Sequence, residues 1–294
     1  MKYKVLYNPL SGSIVNENIK EQIAEVLKDD IFEIEDITKV DYAEFFKALK
    51  EDENILLVGG DGTVNRFIND TQSYNYENSV YYYAAGNGND FWTDIGRKKG
   101  DAPECIDKYL ANLPTVTVNG KDYKFINGIG YGIDGYCCEV GDALKAAGKK
   151  VDYTGIAVKG LLFHFKPKTA TVIVDGETYI FNKTWIAPSM LGRYYGGGMI
   201  PTPSQDRLGD GSLSICLMYN AGKIKTLMAF PKIFKGEHIK KTKQVKILSG
   251  REITVKFNEP CALQIDGETI LGVTEYTVHA ANATAKPVNE EVVA

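Results

Sequence analysis

Histidine, cysteine and tryptophan are scarce in this chain of 294 residues, at 3, 5 and 2. His164, His238 and His279 are scattered, and none has a triad or metal pattern around it. Cys105, Cys137, Cys138, Cys216 and Cys261 are odd in number and show neither CxxC nor Cys/His spacing. They read as reduced, buried or half-buried thiols rather than a disulfide framework or a zinc site. No apolar run approaches the roughly 18 residues a membrane-spanning helix needs, and Met1–Tyr7 is too short and interrupted for a signal peptide; a cytoplasmic protein is expected. Internal repeats, low-complexity tracts and long linkers are missing, and only a polar tail from about Ala283 is expected to fray. Excess charge is missing too. A formal net charge of −4 exerts no global pull on nucleic acid or an acidic membrane, so no nucleic-acid partner is expected and any attraction must be local.

What is present, 44% hydrophobic and 24% charged residues, suits a globular chain long enough for two cores. The patterning changes near residue 115. Before it, short apolar runs (Lys4–Tyr7, Phe32–Ile37, Ile55–Val58, Val80–Ala84) alternate with helical stretches (Asn16–Lys28, Tyr42–Lys50, Val64–Asn69, Pro103–Leu113), which predicts βα units on a parallel sheet over residues 1–115. After it come alternating strands, among them Thr115–Val118, Tyr123–Ile129, Glu252–Phe257 and Cys261–Ile265, with helical segments at Glu139–Ala147, Tyr153–Phe165 and Lys223–Phe234. The expectation is an α/β N-terminal nucleotide-binding domain and a β-rich, sandwich-like second domain over 116–279, with residues about 280–294 packing back on the first.

The densest signal is Gly59-Gly60-Asp61-Gly62-Thr63 between the apolar run Ile55–Val58 and a helix start. Such glycines allow positive φ and close approach to a ligand, and the helix N-terminus beyond offers N–H groups to an anion, most naturally phosphate. Asp61 inside a phosphate loop makes sense as a holder of a divalent cation or a polariser of a hydroxyl. A tight turn with an N-capping acid is the other reading of the pentapeptide. Two further loops follow strands of the same region: Asn8-Pro9-Leu10-Ser11-Gly12-Ser13, and Ala84 to Phe91, which carries Gly86, Asn87, Asn89 and Asp90. Ligands of doubly wound sheets gather beyond the carboxyl ends of strands, so the three loops converge. No G-x-x-x-x-G-K-[ST] occurs, so backbone N–H groups and Mg²⁺ must carry most of the charge compensation.

At these positions the chain resembles the diacylglycerol kinase catalytic-domain family, which includes bacterial soluble lipid kinases and the sphingosine and ceramide kinases. The resemblance rests on Asn8-Pro9-x-Ser11-Gly12, Gly59 to Thr63, Gly86-x-Gly88-Asn89-Asp90-Phe91, Phe125-Ile126-Asn127 with Gly132-x-Asp134, Asp210-Gly211-x-Leu213 and Asp266-Gly267-Glu268. It implies an ATP-binding α/β domain, a β-rich lipid-binding domain with the nucleotide in the cleft between them, and transfer of the terminal phosphate of ATP to a lipid hydroxyl. It assigns nucleotide contacts to Asn8, Pro9, Ser11, Gly12, Thr38, Gly59, Gly60, Asp61, Gly62, Thr63, Asn65, Arg66, Gly86, Asn87 and Asn89. By the same resemblance Asp61 and Asp90 stand beside the nucleotide and its Mg²⁺, Glu268 accepts the proton, and Asp134 helps recognise the lipid head. Asp210, with the carbonyls of Arg207 and Ser212, resembles a second metal site suited to Mg²⁺ or Ca²⁺.

Three positions depart from the family pattern. Arg66 stands where many members have Glu, Asn87 where Thr or Ser is usual, and Thr117 where some bacterial members have Asp. Asp175-Gly176-Glu177 repeats the letters of the late Asp-Gly-Glu turn, and only the late copy has the family position. Leu161–Phe165, Tyr194-Tyr195 and Met199-Ile200 are read as core or as lining for an acyl chain. A lysine-rich segment, Lys223–Lys246, is expected to dock the protein peripherally on an anionic membrane surface, a solvated basic face being the alternative. Some family members dimerise through the second domain, which leaves a homodimer open here. The expected substrate is diacylglycerol; a sphingoid, ceramide or other lipid alcohol, an NAD kinase-like acceptor and a binding-only protein are the alternatives.

Overall fold

The computed structural model describes residues 1–9, 11 and 19–281. The chain forms two compact units: Met1–Ala111 with Tyr194–Gly198, and Asn112–Arg193 with the residues from Met199 onward. The break precedes the expected change at 115, and the five-residue excursion into the first unit was not anticipated. The expected packing of residues about 280–294 lies, beyond residue 281, outside the described residues.

In the first unit, β1 (Lys2–Tyr7), α1 (Ile19–Val26), β2 (Ile31–Asp36), α2 (Tyr42–Ala48), β3 (Asn54–Gly59), α3 (Asp61–Asp70) and β4 (Val80–Ala84) alternate in βα fashion. The strands run parallel in the order β2-β1-β3-β4. Central β3 is buried on both faces, as its unbroken Ile55-Leu56-Leu57-Val58 run requires, whereas edge strand β2 alternates exposed with half-buried residues. Fully burying each aliphatic side chain of β3 contributes about 1.5–3 kcal/mol. One face packs on Tyr3, Val5, Ile23, Leu27, Leu56, Val58 and Ala85.

The helix expected at Pro103–Leu113 is mostly absent. Glu104–Cys105 (β5) pairs antiparallel with β4, and only a single turn, α5 (Asp107–Leu110), is helical. The Val80 amide donates to the Asp107 carboxylate (2.7 Å) and the Ile106 amide to the Val80 carbonyl (2.8 Å), so the segment is held to the sheet edge. Local propensity yields to tertiary pairing here. Another short helix, α4 (Asp90–Asp94), follows β4.

The second unit is an antiparallel sheet in the order β13-β12-β11-β8-β14-β15-β6-β7, with β9 on β14 and β10 on β9. The strands are β6 (Thr115–Val118), β7 (Lys121–Lys124), β8 (Gly128–Tyr131), β9 (Lys168–Val174), β10 (Glu177–Thr184), β11 (Ser189–Met190), β12 (Leu213–Met218), β13 (Val245–Gly250), β14 (Glu252–Ile265) and β15 (Glu268–His279). The two strands expected at 252–257 and 261–265 are one, β14, whose ladder with β15 shifts register between Lys256 and Cys261. Pro260 lies in that irregularity, where a residue without an N–H costs no ladder bond. The first part of β14 pairs with β9 and the last with β8, so one bent strand joins both halves of the sheet. The strand expected at Tyr123–Ile129 is interrupted at 125–127, because the Phe125 amide donates to the Pro114 carbonyl and the amides of Ile126, Asn127 and Gly128 turn to a carboxylate described below. Helix α6 (Ile133–Ala146) starts earlier than the expected Glu139, and α7 (Tyr153–Lys159) passes into a π turn, Gly160–His164. Helix α8 (Lys223–Ile233) and a 3₁₀ turn (Glu237–Lys240) complete the unit.

Candidate functional site

In the first unit the ends of β1, β3 and β4 carry the three loops singled out from the sequence, and the structure shows why they need glycine. Helix α3 begins at Asp61, three residues before the expected Val64, so the motif is the helix start itself. None of Gly59, Gly60 and Gly62 has positive φ, and Gly60 is extended (φ −104°, ψ −172°). The expectation of left-handed backbone is therefore corrected; the reason for glycine is close approach. A Cβ on Gly86 would lie 2.4 Å from Gly60 Cα, and one on Gly59 would lie 2.2 Å from Thr63 Oγ1. The Gly59 carbonyl accepts from the amides of Ala85 (2.8 Å) and Gly86 (3.0 Å) and from the Tyr82 hydroxyl (3.1 Å). Two loops are thus stapled backbone to backbone.

Asn8 completes this floor by donating from Nδ2 to Thr63 Oγ1 (3.0 Å). The Ser11 hydroxyl lies 3.5 Å from where a Gly60 Cβ would stand. Gly12, also assigned to the nucleotide, lies outside the described residues. Thr38 donates its amide (3.0 Å) and hydroxyl (2.7 Å) to Asp36, which holds that carboxyl below its ordinary range. Arg66 is an exposed residue pairing with Asp70 one turn on (3.3 Å). Asn87 stands exposed at the loop tip, and Asn65 is buried inside α3.

The two acids of this region have structural work. Asp61 accepts from the amides of Asp90 (2.7 Å) and Phe91 (3.2 Å), so it caps α4 while sitting in the first turn of α3. An anion there is favoured by the N-terminal ends of both helices. Asp90 accepts from the amides of Gly197 and Gly198, both at 2.7 Å. This latch holds the Tyr194–Gly198 excursion on the first unit, and Gly196, Gly197 and Gly198 all have positive φ. The Gly-Gly-Gly run was the available sequence signal for it. Asn89 Nδ2 donates to the Gly86 carbonyl (2.9 Å), while its Oδ1 is buried without a hydrogen-bond partner among the described residues. A buried acceptor at the junction of the glycine loops is costly unless a ligand supplies a donor.

The second unit organises its candidates around Asp266. That carboxylate accepts from the amides of Ile126 (2.6 Å), Asn127 (2.9 Å) and Gly128 (2.9 Å). Arg207 donates to the Ile126 carbonyl (2.9 Å) and Asn127 Oδ1 (3.2 Å). This knot explains the Phe125-Ile126-Asn127 motif, and its residues were not assigned a role from sequence alone. Asp266 (φ 46°) and Gly267 (φ 101°) form the turn that presents Glu268, exposed at the start of β15. Asp134, buried in the first turn of α6, places Oδ2 2.3 Å from where a Gly130 Cβ would stand, beside Gln264 Nε2. Burial, reinforced by Asp134, Asp142 and Glu268, pushes the Cys138 thiol up to about 12. Asp134 and Glu268 thus act electrostatically on the same neighbour, and that neighbour is a protonated, unreactive thiol.

Asp210 lies at a cavity of about 230 Å³ lined by polar side chains including Gln205, Asp206 and Ser214. Its carboxylate is held below its ordinary range first by the Ser212 side chain and then by the Ser212 amide, which donates to it (2.8 Å), and its carbonyl accepts from Arg251 (2.8 Å). The Ser212 carbonyl accepts from Gln205 (2.9 Å), and the Arg207 side chain points instead into the Asp266 knot. Among the described residues no group of three or more His, Cys, Asp or Glu gathers to hold a metal. Of the stretches read as core or acyl lining, Leu161, Phe165, Tyr195 and Met199 are buried, and Phe163 is exposed.

Family models match both units: the diacylglycerol kinase catalytic domain over residues 2–118 and the YegS C-terminal NAD kinase beta sandwich-like domain over residues 127–286. The chain belongs to the diacylglycerol kinase catalytic-domain family. A protein of Mycobacterium tuberculosis named diacylglycerol kinase is 25% identical over 197 residues, covering 65% of this chain and 62% of that protein's length. A Staphylococcus aureus protein named "Putative lipid kinase" is 25% identical over 275 residues, covering 88% and 83%. A solved structure titled as a diacylglycerol kinase of Bacillus anthracis shares the fold, with TM-score 0.61 at 22% identity over 95% of this chain and 94% of the other. The α/β plus β-rich architecture expected from the sequence is present. No helix among the described residues is long and apolar enough to cross a membrane.

Proposed function

We propose that this kinase transfers the γ-phosphate of ATP to the hydroxyl of a membrane lipid, with diacylglycerol as acceptor and phosphatidic acid as product. The observation that carries the reading is the glycine floor: the N-terminus of α3, with no side-chain cap at Gly60, is backed by the Gly86 turn and edged by the Ser11 hydroxyl. Backbone N–H groups at a helix start hold phosphate oxygens without a lysine. The acceptor oxygen bonds to the γ-phosphorus, the bond from that phosphorus to the β-bridging oxygen breaks, and ADP leaves with the electron pair. Glu268 takes the acceptor's proton, and Asp134, an acceptor beside the same turn, orients the lipid head.

Mg²⁺ suits this donor set in its usual manner, through one or two carboxylates plus phosphate oxygens rather than an all-protein cage. Asp61 is the carboxylate that would hold it, since it stands in the first turn of α3 at the glycine floor. When bound, the ion supplies neutralisation of phosphate charge. The chain's own share is alignment, through a floor whose glycine contacts leave no slack.

Transfer of γ-labelled phosphate from ATP and Mg²⁺ to mixed micelles of diacylglycerol, sphingosine or ceramide tests the proposal. Label should appear in diacylglycerol and be lost in Asp61→Asn, which keeps an oxygen for the α4 amides but drops the charge. Label in sphingosine or ceramide would replace the substrate. Label in no lipid, from protein that binds ATP, would overturn the reading.

A further inference from the structure

Helix α8 breaks the usual rule for a surface helix. Its packed face carries Thr226, Ala229 and Ile233, all buried. The opposite face of a surface helix should be polar. Instead Ile224 is 71% exposed and Met228 64%, and with Pro231 they fall at i, i+4 and i+7, one continuous apolar stripe directly away from the protein. Lys225 and Lys232 flank that stripe and Lys235 continues it. A second apolar group stands beside it: Lys223 Nζ donates to the Leu162 carbonyl (2.7 Å), tying the start of α8 to the π turn whose Phe163 is 73% exposed. Beyond α8, half-exposed Phe234 and Ile239 continue the pattern.

The charge of this region opposes that of the chain. Lys223–Lys246 holds eight lysines against one acid, Glu237, within a molecule of formal net charge −4. Among the described residues none of these lysines is in an ion pair. Solvated lysines explain solubility but not the apolar stripe between them, and an apolar partner explains the stripe but not the one-signed charge around it. One surface satisfies both: a bilayer with anionic headgroups, whose acyl boundary takes the stripe while its phosphates take the ammonium groups.

We infer that α8 and the π turn form a membrane-docking face, with Phe163, Ile224 and Met228 entering the interface of an anionic bilayer and the lysines of Lys223–Lys246 holding its headgroups. This names the partner of the lipid-kinase reading and rests on it for purpose only, because docking needs no catalysis. Polar heads at Phe163, Ile224 and Met228 remove the apolar share; loss of charge at Lys225, Lys232 and Lys235 removes the electrostatic share. The two shares differ in salt dependence, since only the second is screened.

The test is sedimentation of the full chain with vesicles of phosphatidylcholine alone or with phosphatidylglycerol, without nucleotide. Wild type should partition onto the anionic vesicles at least tenfold better. The variant Phe163→Ser/Ile224→Gln/Met228→Gln should lose tenfold or more at any salt, and Lys225→Gln/Lys232→Gln/Lys235→Gln should lose a similar factor at low salt only. Both variants should keep wild-type transfer to substrate in detergent micelles and a wild-type melting temperature, since none of these residues belongs to the candidate site. Vesicle binding with no lipid phosphorylation would sink the kinase reading and leave the docking face standing; phosphorylation with unchanged binding in both variants would do the reverse. A wild-type dimer that becomes monomeric in the Ile224/Met228 variant, without anionic-vesicle binding, would instead make the stripe a contact between copies. Equal binding to RNA and to vesicles, lost only in the lysine variant, would overturn the bilayer as partner.

Discussion

The tripeptide Asp-Gly-Glu occurs twice in the second unit, and the two copies fold alike yet meet different surroundings. At Asp175-Gly176-Glu177 and Asp266-Gly267-Glu268 the backbone is nearly the same, with φ of 48° and 91° in one and 46° and 101° in the other. Each joins two antiparallel strands, and each Asp accepts backbone amides. Asp175 binds those of Arg251 and Glu252 at the start of β14, whereas Asp266 gathers three amides of a segment about 140 residues away in sequence, in a half-buried knot with Arg207. Glu177 is satisfied locally by the Tyr179 hydroxyl (2.6 Å), and Glu268 acts electrostatically on Cys138, as Asp134 does. The same local chemistry makes a hairpin in one place and a candidate proton acceptor in the other. Asp supplies the turn in both, and the neighbours decide what the Glu does.

The largest expected effect separates the two glutamates. Glu268→Gln should lower the rate of transfer by roughly 10²–10⁴, the range of a lost general base, while Glu177→Gln stays within twofold of wild type. Steady-state rates on lipid micelles measure both; equal rates for the two variants would remove Glu268 from the mechanism. The two aspartates should differ next. Asp266→Ala strands three amides that donate to a charged acceptor and should cost about 3–4 kcal/mol in urea unfolding, against about 1 kcal/mol for the exposed Asp175→Ala. Losses of similar size would mean the Asp266 knot adds nothing beyond the turn.

In the first unit the same contrast exists between glycines of one loop. Gly86→Ala drives a methyl onto Gly60 Cα and should cost about 1–3 kcal/mol and the nucleotide site with it, whereas a Cβ on Gly88 meets nothing within 4 Å and Gly88→Ala should be nearly neutral. Thermal melts with and without ATP measure this. The smallest effect concerns pH. His238 is fully buried, its Nε2–H donates to the Pro201 carbonyl (2.9 Å) and its Nδ1 has no partner among the described residues, so burial holds its pKa below 6.5. The unfolded chain therefore takes up the proton first, and stability that is full above about pH 6.5 should fall as pH drops below it, by no more than about 1–2 kcal/mol by pH 5. His238→Gln should flatten that slope in urea titrations.

Much was legible beforehand. Ile55–Val58 followed by Gly59 to Thr63 declares a central strand and a helix start, because four consecutive apolar residues suit only a strand covered on both faces. The βα rhythm before residue 115 and the alternation after it separate the two architectures. Less visible were features made by distant partners. Pro103–Leu113 has helical letters, but Val80 and Asp107 draw it to a sheet edge. The segment 125–127 looks like strand until the amides of Ile126, Asn127 and Gly128 find Asp266, and Tyr194–Gly198 looks like part of the second unit until Asp90 takes its glycine amides.

Sequence by itself determined the two architectures, most of the element types, the family and the three loops at strand ends, since periodicity, glycine placement and short motifs are local properties. Tertiary structure decided why the glycines are there, which of two identical Asp-Gly-Glu turns lies near Cys138, that Asp61 clasps the first amides of α4 and Asp90 those of Gly197 and Gly198, and that α8 shows an apolar stripe to solvent. These are facts of approach between parts far apart in the chain. A hydrogen bond of about 3 Å or a Cβ clash is set by the packing of many residues at once, and no short window of sequence carries it.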